Sequence, residues 1–142
     1  MTFRNIGEAR IRGLEMALDA RVSRDLRLGA SATWLDTENR ETGGRLTSAP
    51  DITASLRATW QLIPAWSVTG ALVHVGKRYE DVANIASADP YTLINLGTSY
   101  AHPSWPGVQV YAGIDNLFAA KNDTSLYADP GRFFRAGARW FF

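Results

Sequence analysis

The sequence contains no cysteine, so disulfide frameworks, thiolate metal sites and cysteine nucleophiles are excluded together. It has no run approaching the roughly 18 consecutive apolar residues of a transmembrane helix, so any crossing of a bilayer must use strands. Neither sign of charge dominates. With 15 Lys and Arg against 14 Asp and Glu there is no electrostatic reason to expect nucleic acid. The opening residues, MTFRNIGEAR, lack an apolar h-region and a cleavage site and are read as carrying no signal peptide. What is present is a chain of 142 residues, 46% hydrophobic and 20% charged, enough for one domain of globular or membrane-barrel composition.

Period-two patterning runs along most of it. In LRLGASATWLDT the even positions Leu26, Leu28, Ala30, Ala32 and Trp34 are apolar, against Arg27, Gly29, Ser31 and Thr33. DITASLRATWQL repeats this with Ile52, Ala54, Leu56, Ala58 and Trp60 against Thr53, Ser55, Arg57 and Thr59. YTLINLGTSYA, VQVYAGIDNLF and the final FFRAGARWFF alternate likewise, the last with Phe134, Ala136, Ala138, Trp140 and Phe142 on one phase and Arg135, Gly137 and Arg139 on the other. Two stretches are ambiguous. ARIRGLEMALDARV carries both a strand pattern and a helical stripe (Ile11, Leu14, Leu18, Val22) and is read as a strand from its neighbours. WSVTGALVHVGKRY is apolar on both phases around Val73 and Val75, so it reads as a strand whose facing is open.

Connections alternate in length. VSRD, LIPA and HPSWPG are short; DTENRETGGRLTSAP, EDVANIASADP and AAKNDTSLYADP are long and polar. The expected fold is therefore all-β, an antiparallel up-and-down meander of about seven strands with tight turns at one end and long loops at the other, as in the wall of an outer-membrane β-barrel. The placement of arginines fits lipid on the even face. Arg27, Arg57, Arg135 and Arg139 lie on the other phase, since each would cost about 2–4 kcal/mol against the bilayer midplane, whereas Arg12 and Arg132 lie near strand ends where the cost falls to about 0–1 kcal/mol. Aromatics gather at both borders, with Trp60, Trp66, Tyr100, Trp140 and Phe142 towards the short turns and Trp34 and Phe134 towards the long loops.

Catalytic and metal readings find little. His74 and His102 lack a third ligand at any metal-site spacing, and no strained nucleophile turn surrounds a serine. The loop acids Asp36, Glu38, Glu41, Glu80 and Asp81 lack the ligand spacing of a calcium loop and read as solvated charges. Gly43 and Gly44 have no phosphate-cradling context. No enzyme activity, cofactor or metal is expected.

Several motifs resemble the C-terminal part of TonB-dependent outer-membrane receptors of the ferric-siderophore type. They are NIGEARIRGLE (Asn5, Gly7, Gly13, Glu15), GASATWLDTE before a long loop, GGRLTSAP (Gly43, Leu46, Ala49, Pro50), GIDNLF (Gly113, Asn116, Leu117, Phe118), and PGR (Pro130, Gly131, Arg132) opening a last strand that ends in phenylalanine. The resemblance implies a barrel of about 22 strands around a plugged lumen. Residues 1–142 are then one C-terminal fragment of such a barrel, without plug domain or signal peptide. It also implies residence in the cell outer membrane among its lipids, ferric siderophore as cargo of the intact receptor, and TonB as a partner of the absent N-terminal part. Ligand contacts in the family cluster on loop and upper-lumen aromatics and basic groups, which points to Tyr79, Tyr91, Tyr111, Tyr127 and Arg45. Ala138, Trp140 and Phe142 occupy the places of the signal read by the barrel-assembly machinery, or else simply anchor the strand at the interface. Two other functions stay open. A porin-like passive barrel would lack a plug, and a soluble β-sandwich or lipocalin-like binding module would purify without detergent.

Overall fold

Alternating apolar and polar residues, rich in Thr, Val, Ile and aromatics, satisfy a pleated strand that meets different media on its two faces. The computed structural model describes residues 7–121 and 131–142. It contains β1 (Ala9–Arg21), β2 (Leu26–Asn39), β3 (Ile52–Ile63), β4 (Trp66–Val75), β5 (Arg78–Tyr79), β6 (Ser87–Ala88), β7 (Tyr91–Ala101), β8 (Val108–Asp115) and β9 (Phe133–Trp140). Seven of these form one sheet in the order β1-β2-β3-β4-β7-β8-β9, and β5 and β6 make a small hairpin within a long loop. Every pairing in the large sheet is antiparallel. ARIRGLEMALDARV is thus a strand, as its neighbours indicated.

The register decides which residues share a face. In all the ladders even-numbered residues face even-numbered ones: Leu18 opposes Ala30, Ala30 opposes Leu56, Leu56 opposes Leu72, Leu72 opposes Ile94, and Ile114 opposes Phe134. A single irregularity, between Gln61 and Ile63, interrupts the rule at the β3–β4 turn. Since side chains alternate with period two, one face of the whole sheet is even and the other odd. This also settles β4. Val68, Gly70 and Leu72 join the even face, and Val73 and Val75 lie on the odd one.

The sheet is a single layer without a hydrophobic core. Among the described residues the only buried hydrophobic is Ala88, while Leu18 is 63% exposed, Leu56 46% and Trp140 73%. Leu28 and Ile114 are only half-buried. A continuous apolar face of this size must be covered by something other than water. Leu26 to Trp34 spans about 27 Å along the strand at roughly 3.4 Å per residue. At a tilt of about 40° that gives roughly 20 Å of height, which the border tryptophans extend towards the roughly 25 Å apolar band of an outer-membrane barrel. Above the Leu14–Trp34 pair the same face becomes ionic, with Arg10 3.4 Å from Glu38 and Arg40 2.6 Å from Glu8.

The last strand ends at Trp140. Beyond it Phe141 still donates its N–H to Gly107 O at 2.8 Å, which pins the C-terminal residues to the β7–β8 turn, and Phe142 lies past the ladder. β1 and β9 are the sheet's edges.

Candidate functional site

Two regions of the odd face and its loops bring polar side chains together. The first is at the long-loop end. Residues 40–51 fold back over β2: Asn39, buried, accepts the N–H of Glu41 on Oδ1 at 3.0 Å, and Thr37 Oγ1 accepts the N–H of Leu46 at 3.2 Å. This segment is then stitched to the β4–β7 loop. Thr47 bridges Tyr79, Ser48 N–H donates to Tyr79 O at 2.8 Å, and Asp51 N–H donates to Lys77 O at 3.1 Å. Asn84 completes the join. Held at φ 56°, it accepts the N–H of Arg45 on Oδ1 at 2.5 Å and donates Nδ2 to Arg45 O at 3.0 Å, so one side chain imitates a strand partner for a residue of the other loop.

Cations and rings meet around this join. Lys77 Nζ lies 5.0 Å from the Tyr79 ring centre, and the Arg78 guanidinium lies 5.9 Å from that of Tyr91, both within cation–π range. Arg45 reaches Leu35 O at 3.3 Å and Asp36 at 3.4 Å. Of the residues singled out from the sequence, Arg45 and Tyr79 therefore share one stitched loop body, with Tyr91 at its foot. Tyr111 does not join them. It pairs with Ser99 and Gly137 in the turn-end half of the wall, and Tyr127 lies outside the described residues. Asn84, Lys77 and Arg78 carry no signal in the sequence beyond that of solvated loop residues.

Replacing Asn84 by alanine removes both bonds to Arg45, each worth about 0.5–1.5 kcal/mol net. The expected outcome is an unchanged barrel whose Arg45 and Leu46 amides exchange with solvent faster by roughly one to two decades. Hydrogen exchange resolved by mass spectrometry checks it.

The second region is a concave cradle of about 660 Å³ on the odd face of β3, β4 and β7–β9. Adjacent strands present Gly97, Gly113 and Gly137 on its floor. A Cβ on Gly113 would meet Arg135 Nε at 2.8 Å, and one on Gly137 would meet the Tyr111 hydroxyl at 2.5 Å. Arg135 and Tyr111 thus lie along the wall over their glycine neighbours. Asp115 holds the Arg135 guanidinium at 3.3 Å, and Arg139 sits 5.0 Å over the Tyr111 ring. At the top of β8, buried Asn116 explains part of the GIDNLF motif. At φ 53° its N–H reaches Asn95 Oδ1 at 2.8 Å, and its amide closes the following turn through both polar groups of Ala120, at 2.8 and 2.9 Å.

Among the described residues no helix is long and apolar enough to cross a membrane, a statement that leaves strands untouched, and no group of His, Asp and Glu could hold a metal ion. An open meander, apolar on one face and polar on the other with asymmetric connections, is the geometry of a barrel wall. Residues 1–117 match the model of the family described as TonB dependent receptor-like, beta-barrel. The chain belongs to this family. One curated relative of this TonB-dependent receptor-like barrel, named "Probable TonB-dependent siderophore receptor PiuA", from Acinetobacter baumannii, is 24% identical over 89% of the chain and 19% of its own length. Another, the ferrichrome receptor FcuA of Yersinia enterocolitica, is 30% identical over 68% of the chain and 14% of its own length. The chain thus spans about a fifth or less of these relatives. In structure, its barrel strands superpose on the A. baumannii siderophore receptor PiuA with a TM-score of 0.79 at 21% identity, covering 93% of the chain and 22% of that receptor. The copper transporter OprC gives 0.77 at 19% identity, covering 94% and 24%. The fold is therefore that of this family's barrel, whatever each member carries.

Proposed function

We infer that the chain forms wall strands and outer loops of an outer-membrane receptor for TonB-dependent uptake of a ferric siderophore. The observation that carries this reading is the register: along the middle of the wall a predominantly apolar even-numbered face is backed by a predominantly polar odd-numbered one. In hydrocarbon each unpaired backbone group costs several kcal/mol, so the edges of β1 and β9 call for further strands and a closed barrel around a lumen. The same face argues against a soluble sandwich, which would enclose Leu56 rather than expose it. Ala138, Trp140 and Phe142 on the last strand and just past it suit recognition by the barrel-assembly machinery, because an exposed apolar edge needs delivery to an insertion catalyst. Siderophore as cargo is carried over from the two sequence relatives, PiuA and FcuA. The energy for release comes through TonB, acting on a domain beyond these residues.

In this reading the long-loop cluster receives the cargo. Aromatic rings and cations suit an anionic, ring-bearing iron chelate. Ferric-siderophore binding to the receptor in outer-membrane vesicles is expected to weaken roughly tenfold, about 1.4 kcal/mol, for Tyr79→Ala combined with Tyr91→Ala. Trp105→Ala, in the exposed opposite turn, is expected to leave binding unchanged. Tryptophan-fluorescence titration with hydroxamate and catecholate chelates, alongside iron uptake with and without TonB, measures both. Uptake that persists without TonB, or a receptor that binds neither chelate class, sinks the reading.

A further inference from the structure

On β1 the even face changes character within one pleat. Leu18, Met16 and Leu14 are all exposed on it, and the next side chains on the same face, at steps of about 6.8 Å, are Arg12 and Arg10. The opposing positions of β2 change with them, Trp34 being followed by Asp36 and Glu38. Two of the ionic rows close, Arg10 on Glu38 at 3.4 Å and Arg40 on Glu8 at 2.6 Å. The row between them and the apolar band does not. Asp36 is held by Arg45 of the long loop, at 3.4 Å. Arg12, exposed and opposite Asp36 in the ladder, has no carboxylate partner among the described residues. The unneutralised guanidinium is therefore the one that borders the apolar side chains.

That position selects a ligand. A cation on the lipid side of the wall, just above the apolar band, stands at the level of lipid headgroups, where anionic groups attract it. Arginine takes a phosphate through two parallel N–H···O bonds. Arg10, one step further out, brings a second cation, since its pair with Glu38 is long and partly exposed. A soluble phosphate would use the arginines and leave the apolar stripe in contact with nothing of its own. An amphiphile uses both, because about 20 Å of strand from Arg12 to Leu18 passes from charge to hydrocarbon in the order that a lipid does.

We propose that Arg12, with Arg10 behind it, binds the phosphate of a phosphorylated lipid in the leaflet at the long-loop end, with an acyl chain of that lipid laid along Leu14, Met16 and Leu18. This rests on the reading of the even face as the lipid side. The site lies on the outside of the wall, so neither cargo nor lumen takes part in it.

The test uses the intact receptor, purified from outer membranes and placed in phosphatidylcholine vesicles. These contain a small fraction of either phosphatidic acid or phosphatidylcholine, each carrying the same photoreactive acyl chain. Labelling of residues 9–21, mapped by mass spectrometry, is expected to be about fivefold greater from phosphatidic acid, the worth of one arginine close to an anionic headgroup. Arg12→Gln is expected to abolish this preference and Arg12→Lys to keep part of it. Arg132→Gln, at the border of the last strand, is expected to leave it unchanged. Heat-shifted electrophoretic mobility selects assembled variants, and the wild-type ratio alone decides where none assembles. Equal labelling by the two lipids in wild type overturns the proposal. So does a preference that survives Arg12→Gln, which leaves Arg12 to pair with an acid on a neighbouring strand. A preference removed by sodium phosphate, but not by sodium chloride of equal ionic strength, overturns it too, because the ligand is then a soluble anion. No labelling of residues 9–21 by either lipid takes the even face out of the bilayer, and that result removes the underlying reading itself.

Discussion

Leu56→Arg is expected to prevent the barrel from assembling, whereas Ser55→Arg, one residue away, leaves it folded. Leu56 sits midway along β3 between Ala30 and Leu72, at the centre of the even face and 46% exposed on it. In a barrel wall that exposure is to hydrocarbon near the midplane, where an arginine costs about 2–4 kcal/mol. A domain stable by about 5–15 kcal/mol loses a large part of its margin to such a change. Ser55 points the other way, where its hydroxyl shares a 2.8 Å hydrogen bond with Ser31. Replacing it forfeits about 1 kcal/mol and leaves the new charge in water. Heat-shifted mobility of receptor extracted from outer membranes, with urea unfolding in phospholipid vesicles, separates the two. Equal tolerance of both arginines would falsify the assignment of the even face to lipid.

Gly107→Val is expected to release the C-terminal residues from the β7–β8 turn and to lower the yield of assembled receptor severalfold. Two effects add. The residue sits at φ 75°, a region that costs a side-chain-bearing residue about 1–2 kcal/mol and a β-branched one more. Its Cβ would also land on the carbonyl oxygen of Phe141, whose N–H is bound to Gly107 O, with Trp140 close by. Gly43→Ala supplies the comparison. That residue has φ 72° but nothing within 4 Å of its Cβ, so only the backbone effect operates and the loss stays near 1 kcal/mol. Similar losses at the two positions would show that the Phe141 contact is unimportant.

Much of the wall was legible because a half-wetted sheet writes its facing into every second residue. Leu28 and Arg27, or Leu56 and Arg57, declare their sides without reference to anything else. β4 did not, because Val73 and Val75 are apolar on the odd face; only pairing with β3 and β7 decides which way they point. Tyr111 shows a second limit. Its odd number places it correctly on the inner face, but its height depends on distance from the turn, and four residues past Gly107 it belongs to the lower wall and not to the loop cluster. The join between the outer loops was illegible for a different reason. Asn84 reaches Arg45 across 39 positions of chain, and nothing local in VANIAS distinguishes an amide that will imitate a strand from one that faces water.

Since ladder partners across the sheet differ by even numbers, the wall has the logic of a reading frame. One residue gained or lost inside a strand would invert that strand beyond the change, turning arginines outward and leucines inward, and the error would propagate to its neighbours unless a bulge absorbed it, as happens once beside Gln61. A loop residue gained or lost shifts nothing. In an outer-membrane barrel length variation is therefore free only where the wall leaves the bilayer, so the loop surface can be remodelled while the lipid contact stays untouched.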